Sequence, residues 1–273
     1  MKLGFIGAGN MGAAILEGIT ARGVIRGEDI VVYDGYAPAV ERAQKTGAKA
    51  AANNRAVAEA ADMVILAVKP KDSLEVIREI APKLEGKALL SIVAGLSYSA
   101  IGGALAGAKA RILVILPNTP ALVGEGATGF TLETTFTDAE KSFAQKLFEA
   151  VGIVEWVPEK LLFAVSALSG GGPAYAAMFA EALADGGVLE GLPRPMAYRL
   201  AAQTLKGTGK LLLETGQHPG AVKDAVCSPG GTTIEAVREL ERGAFRYSVL
   251  NAVRESARKF WTLIKPEGTG SSA

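Results

Sequence analysis

Residues 7–12 read Gly7-Ala8-Gly9-Asn10-Met11-Gly12, directly behind the apolar run Leu3-Gly4-Phe5-Ile6 and in front of a helical pattern over 11–21. A G-x-G-x-x-G is a weak signal alone. Between a strand and a helix it becomes specific, because each glycine then has a task. Gly7 permits the tight turn and Gly9 lets the backbone approach a pyrophosphate. Gly12 lets the helix pack on the strand, and the helix N-terminus, opening with Asn10 and Met11, stabilises the negative charge. A second apolar run, over 30–33, ends at Asp34, 22 residues beyond Gly12. A carboxylate at that spacing accepts hydrogen bonds from the adenosine ribose hydroxyls and repels a 2′-phosphate, which leans toward NADH. Asp34-Gly35 is also good turn chemistry, and Arg42 or Lys45 can offset the charge, so NADH and NADPH both stay open.

The runs over 3–6, 30–33, 63–68, 88–93 and 112–116 are rich in Val, Ile and Leu and lack alternation. Strands buried on both faces of a parallel sheet read this way. Helical patterns lie between them over 11–21, 38–46, 55–61, 73–81 and 98–105, followed by a helix over 137–150 and a closing strand over 153–157. Repeated strand-helix-strand order predicts an α/β fold with an N-terminal Rossmann-type, doubly wound sheet. After Pro158 helical spacing takes over, through 161–168, 174–189, 196–213, 221–226, 234–241 and 245–262. The expected organisation is a dinucleotide-binding domain over 1–157, an all-helical domain over 158–265 and a flexible tail over 266–273. Ala176, Ala177, Ala180, Ala184, Gly186 and Gly187 allow close helix packing, either within the chain or against a second subunit.

Composition narrows the function. Of 273 residues, 49% are hydrophobic and 21% charged, enough apolar material for a large core. Lys+Arg 29 against Asp+Glu 28 gives a net charge of +1, with no basic footprint for nucleic acid or an anionic membrane. The apolar runs read as shorter than the ~18–20 residues of a membrane span. Glycines break the N-terminal run before a signal-peptide core forms, so a soluble cytoplasmic protein is expected. A single Cys227 and a single His218 cannot build a His/Cys zinc cage or an intrachain disulfide. Neither is read as a catalytic group: His218 precedes Pro219 at a helix start, and the Cys227 thiol lacks a base.

Further candidates lie where strands end. Ala67, Val68, Lys69 and Pro70 follow one strand, Ala94 and Gly95 the next, and Asn118, within Pro117-Asn118-Thr119-Pro120, the fifth. Ligands of open α/β sheets bind at these carboxyl ends. Lys69 can reach a cofactor, and Asn118 can orient a nicotinamide or form an Asx turn. Asn54 completes the expected cofactor contacts. In the helical region, Ser228-Pro229-Gly230-Gly231-Thr232-Thr233 stands between two helices. Ser228 and the threonines are natural N-caps, and Gly230-Gly231 bare backbone N–H groups toward an anion such as a small carboxylate.

Taken together, these segments resemble the pyrroline-5-carboxylate reductase family over nearly the whole chain. The likeness is carried by FIGAGNMG at 5–12, AVKP at 67–70, PNTP at 117–120, EGAT at 125–128, ALSGGGPAY at 167–175, ALADGGVLEGLP at 182–193 and, most specifically, HPGAVKDAVCSPGGTTIEAV at 218–237. It departs at Phe163-Ala164-Val165-Ser166 and at Gly171, where relatives carry serine. The resemblance implies hydride transfer from NADPH or NADH to the imine carbon of 1-pyrroline-5-carboxylate, giving L-proline. It implies that Ser228, Gly230, Gly231 and Thr232 hold the substrate carboxylate, that Thr233 contacts the ring nitrogen, and that Glu159 lies near the substrate. It also implies self-association through the helical domain, as a dimer or larger. β-Hydroxyacid dehydrogenases share the first domain, but their glycine cluster is followed by a catalytic lysine, and no lysine follows Gly170-Gly171-Gly172 before Lys206. A reductase of another cyclic imine and a non-catalytic NAD(P)-sensing dimer are the alternatives.

Overall fold

The computed structural model describes residues 1–264; residues 265–273, which include the expected tail, lie outside the described residues. The described residues divide into two compact units, Met1–Gly170 joined by residues 257–264, and Gly171–Ser256. Residues 158–170 thus group with the sheet, beyond the end of the last expected strand.

The first unit runs β1 (Leu3–Ile6), α1 (Asn10–Ala21), β2 (Ile30–Tyr33), α2 (Ala37–Gln44), β3 (Lys49–Ala50), α3 (Asn54–Ala60), β4 (Met63–Leu66), α4 (Pro70–Ile80), β5 (Ala88–Ser91), α5 (Tyr98–Ala104), β6 (Arg111–Leu116), β7 (Gly126–Thr131), α6 (Asp138–Glu149), β8 (Gly152–Val157) and α7 (Leu162–Val165). The strands form one eight-stranded sheet in the order β3-β2-β1-β4-β5-β6-β7-β8, parallel except for the β6–β7 pair. The order reverses between β1 and β4, the switch point at which such sheets bind ligands. Strands β1, β4 and β5 are buried throughout, and the side chains above and below them form two apolar layers.

Several elements differ from expectation. The runs over 63–68 and 88–93 stop at Leu66 and Ser91, and their last residues leave the sheet as loops. Helix α4 begins at Pro70, not 73: a proline that ends a strand also suits the first helical position, where no N–H is needed. Strands β3 and β7 were not expected. Gly126 and Gly129 disguise β7 as a loop, yet a Cβ at Gly126 would lie 2.8 Å from the Val151 carbonyl oxygen and one at Gly129 2.9 Å from Val165. These positions are glycine because neighbours approach closely.

Helix α6 is fixed by a capping box, with Thr137 accepting from the Glu140 N–H and Glu140 accepting from the Thr137 N–H. The buried Glu140 carboxylate also accepts three hydrogen bonds of 2.7–3.0 Å from Arg111, clamping β6 to the helix. Burial opposes the ionisation of Glu140, but Arg111 and the Thr137 N–H and O–H outweigh it, and the carboxyl is held below its ordinary value.

The expected helix over 161–168 is broken. A short 3-10 turn (Glu159–Leu161) leads into α7, and a π-turn covers Ser166–Gly170. The second unit is helical: α8 (Gly172–Leu189), α9 (Arg194–Thr215), α10 (Pro219–Val226), α11 (Thr232–Arg242) and the first part of α12 (Phe245–Ile264). Helices α8 and α9 pack through Ala184, Ala197 and Ala201 and are joined by an Asp185–Arg194 ion pair. The run Glu159–Leu189 contains an 18-residue window that is, by length and composition, apolar enough to cross a bilayer, with a mean hydropathy of 1.3. The expectation that every apolar run falls short of a span therefore fails here, although the turn at Ser166–Gly170 divides the run into α7 and α8.

Candidate active site

The glycine loop joins β1 to α1 at the switch point. Gly7 has φ +95°, and a Cβ there would lie 2.6 Å from the Ala67 carbonyl oxygen, so the loop rests directly on the strand end behind β4. A Cβ at Gly12 would lie 2.6 Å from the Gly7 carbonyl oxygen, which makes the helix-on-strand contact equally tight. At Gly9 a Cβ would meet nothing within 4 Å. Two of the three glycines therefore admit protein, and the third opens onto free space. Gly9 is also the N-cap of α1 and carries no capping side chain. The first-turn N–H groups of Asn10, Met11 and Gly12 face a space that an anion can enter. This cradle fits the pyrophosphate of a dinucleotide.

Asp34 follows β2. Its Oδ2 accepts the Ala8 N–H at 2.7 Å and its Oδ1 accepts the Tyr36 N–H at 2.8 Å, while the Gly7 N–H bonds the Tyr33 carbonyl at 2.9 Å. Arg42 reaches back from α2 to the carbonyl oxygens of Ala8 and Gly9. Ala67 and Val68 lie at the end of β4, and exposed Lys69 is the N-cap of α4, ahead of Pro70. Ala94 and Gly95 form the exposed turn behind β5, ahead of α5. Because β1, β2, β4, β5 and β6 are parallel, these candidates and Asn118 share the carboxyl end of the sheet. Asn54 stands behind β3 with its side chain engaged by Glu79 of α4 at 2.8 Å.

Asn118 is buried. Its Nδ2 donates to the Ser169 carbonyl at 2.9 Å and its Oδ1 accepts the Ala127 N–H at 2.8 Å. The side chain ties the proline-stiffened loop to β7 and to the π-turn, leaving one amide hydrogen and one lone pair for a ligand. Glu159 accepts the Tyr98 N–H at 2.6 Å, at the start of α5. It borders a cavity of about 590 Å³ with Gly95, Ser97, Phe163 and Trp261. Sequence reasoning missed Phe163 and Trp261, whose rings lie 4.8 Å apart, since nothing local marks two aromatics so distant in the chain as neighbours.

In the second unit, Ser228-Pro229-Gly230-Gly231 forms a turn closed by the Gly231 N–H on the Ser228 carbonyl at 3.0 Å. Proline second and glycine third, with φ +67° at Gly230, is the pattern of a type II turn. The expectation that Ser228 or the threonines cap the following helix fails: Gly231 is the N-cap of α11 and no side chain closes it. Thr232 and Thr233 instead occupy its first turn, where the N–H groups lack intrahelical partners. A Cβ at Gly231 would lie 2.3 Å from Ser228 Oγ, so a side chain there would require the serine hydroxyl to turn away. His218 is the N-cap of α10 and accepts the Gly220 N–H at Nδ1.

Comparison with known proteins places these features in context. The family model described as pyrroline-5-carboxylate reductase dimerisation matches residues 159–263, and one described as NADP oxidoreductase, coenzyme F420-dependent, matches residues 2–95. A pyrroline-5-carboxylate reductase of Escherichia coli K12 is 43% identical over 266 residues, 97% of this chain and 98% of that one. The structure of a pyrroline-5-carboxylate reductase from Coxiella burnetii superposes with a TM-score of 0.91 at 34% identity, covering 97% of this chain and 99% of the other. A pyrroline carboxylate reductase from Plasmodium falciparum, solved with NADP bound, gives a TM-score of 0.86 at 33% identity over 97% and 98% of the two chains.

Proposed function

Because the chain belongs to the pyrroline-5-carboxylate reductase family, we propose that it reduces the C=N bond of 1-pyrroline-5-carboxylate to give L-proline, the last step of proline biosynthesis. The enzyme is an NAD(P)-dependent oxidoreductase, and the bound reduced nicotinamide supplies the hydride. The glycine loop and the strand ends of residues 1–157 hold the dinucleotide, with Asp34 at its adenosine end and Lys69, Gly95 and Asn118 toward its nicotinamide end. The region from 158 binds substrate and carries self-association, as a dimer or larger. Its exposed apolar helix faces and the apolar run at 159–189 are then covered by a second copy rather than by lipid, in a cytoplasmic enzyme without nucleic-acid partners.

The uncapped start of α11 carries the substrate reading. The turn at Ser228–Gly231 leaves the first-turn N–H groups of α11 open, and they receive the substrate carboxylate. The half-buried Thr233 hydroxyl hydrogen-bonds the ring nitrogen as it becomes an amine. A cyclic imine is protonated near neutrality far more readily than a ketone, so its carbon accepts hydride without a strong protein acid. His218, already engaged as a helix cap, is not needed. The protein's contribution is positioning, worth several kcal/mol of the barrier.

Loss of reduced-nicotinamide absorbance with 1-pyrroline-5-carboxylate tests the reaction. No loss with either cofactor, despite cofactor binding, sinks it. Thr233→Ala should lower turnover by about tenfold or more, or about 1.4 kcal/mol of transition-state stabilisation, with an unchanged circular dichroism spectrum. Wild-type turnover in that variant removes the role assigned to the hydroxyl.

A further inference from the structure

We propose that Asp34 makes this chain select NADH over NADPH. The proposal rests on the dinucleotide site described above and concerns its adenosine end. The Asp34 carboxylate is held at both oxygens, Oδ2 by the Ala8 N–H of the glycine loop and Oδ1 by the Tyr36 N–H of the turn behind β2. Two bonds to two segments fix its orientation. Swinging aside breaks both bonds, and the partly buried Ala8 N–H then loses its partner.

Each carboxylate oxygen accepts more than one hydrogen bond, so ribose hydroxyls are received without giving up either backbone contact. A 2′-phosphate carries a charge of about −1.5 to −2, donates little in return and meets a fixed negative charge instead. A nearby cation could reverse this balance, and the chain withholds one. Residues 35–41 read GYAPAVE, without lysine or arginine. Arg42, the first cation beyond, turns to the loop: its Nη2 lies 3.3 Å from the Gly9 carbonyl oxygen and 3.4 Å from that of Ala8. Its Nε lies 3.4 Å from Glu17 Oε1, so that its charge is shared with a carboxylate of α1. Lys45 sits at the C-cap of α2, the opposite end of that eight-residue helix from Asp34, about 12 Å along its axis.

Calorimetric titration of the full chain with NAD+ and NADP+ reads binding without turnover. NAD+ should bind at least about tenfold more tightly. In Asp34→Ser the ratio should shrink to within about threefold, through a gain for NADP+. Because Asp34 also braces the loop, Gly35→Arg supplies an independent arm that leaves it in place. A Cβ at Gly35 meets nothing within 4 Å. The added guanidinium should tighten NADP+ by about tenfold and leave NAD+ within about twofold. NADP+ binding to the wild type as tightly as NAD+ overturns the proposal alone, as does a ratio unchanged in both variants. Binding of neither nucleotide overturns the dinucleotide site itself, and the proposal with it.

Discussion

In the sheet-bearing unit Phe5, Phe130, Phe148 and a set of leucines and isoleucines are fully buried. In the helical unit the buried cluster consists of Ala184, Ala197 and Ala201, with Val188 against it. The same unit leaves Met178 70% exposed, Leu189 86% and Leu250 62%. The first unit closes its own core around the sheet. The second offers a core's worth of apolar surface and keeps little of it from water within one chain, which is what a self-associating helical region requires. The difference separates stability that belongs to the chain from stability that depends on concentration.

The strongest way to break that comparison is in the sheet. Phe130 meets Phe148 and Trp156 edge-on, with centroids 5.5 and 5.0 Å apart. Phe130→Ala should cost about 3–5 kcal/mol in denaturant unfolding, independent of protein concentration. A cost that grows on dilution would contradict a self-contained core. Glu140→Gln comes next, at roughly 3 kcal/mol, because it strips a buried partner from Arg111. The folded carboxyl is held below its ordinary value, so its stabilisation is present above the unfolded value near 4.3 and is lost as pH falls through the folded one. The gap between variant and wild type should therefore close on acidification below about pH 4, and a gap constant with pH would assign the effect to packing alone. The smallest effect on the isolated chain is expected from Met178→Asp with Leu250→Asp, within about 0.5 kcal/mol for each exposed site. Light scattering should nonetheless show the assembly weakened. Unfolding of the monomer by this pair would erase the distinction between the units.

What was legible in the sequence follows the same division. The glycine loop, Asp34 and the parallel strands are local patterns, and the structure brings the loop and Asp34 to the carboxyl end of the sheet. Strand β7 was hidden because Gly126 and Gly129 answer to Val151 and Val165, neighbours that composition does not reveal. The break at Ser166–Gly170 was hidden for a related reason. Apolar spacing persists through it, while Ser169, whose hydroxyl bonds the Val165 carbonyl and whose own carbonyl receives Asn118, fixes a turn that depends on a distant loop. At Ser228–Thr233 the residue types pointed to a helix capped by serine or threonine, and the structure differs in that detail. Glycine, not serine or threonine, holds the N-cap position, which leaves the helix start open.

The strand order carries a consequence for how the molecule is made. The earliest strand of the sheet in sequence, β1, lies in its interior. β2 and then β3 extend it on one side, and β4 through β8 extend it on the other in the order of their synthesis. A nascent chain that folds from its N-terminus thus always finds a ready edge for its newest strand, and none has to be threaded between two already paired. The sheet is complete at Val157, while the ribosome still has to deliver the helices whose exposed faces await a second chain.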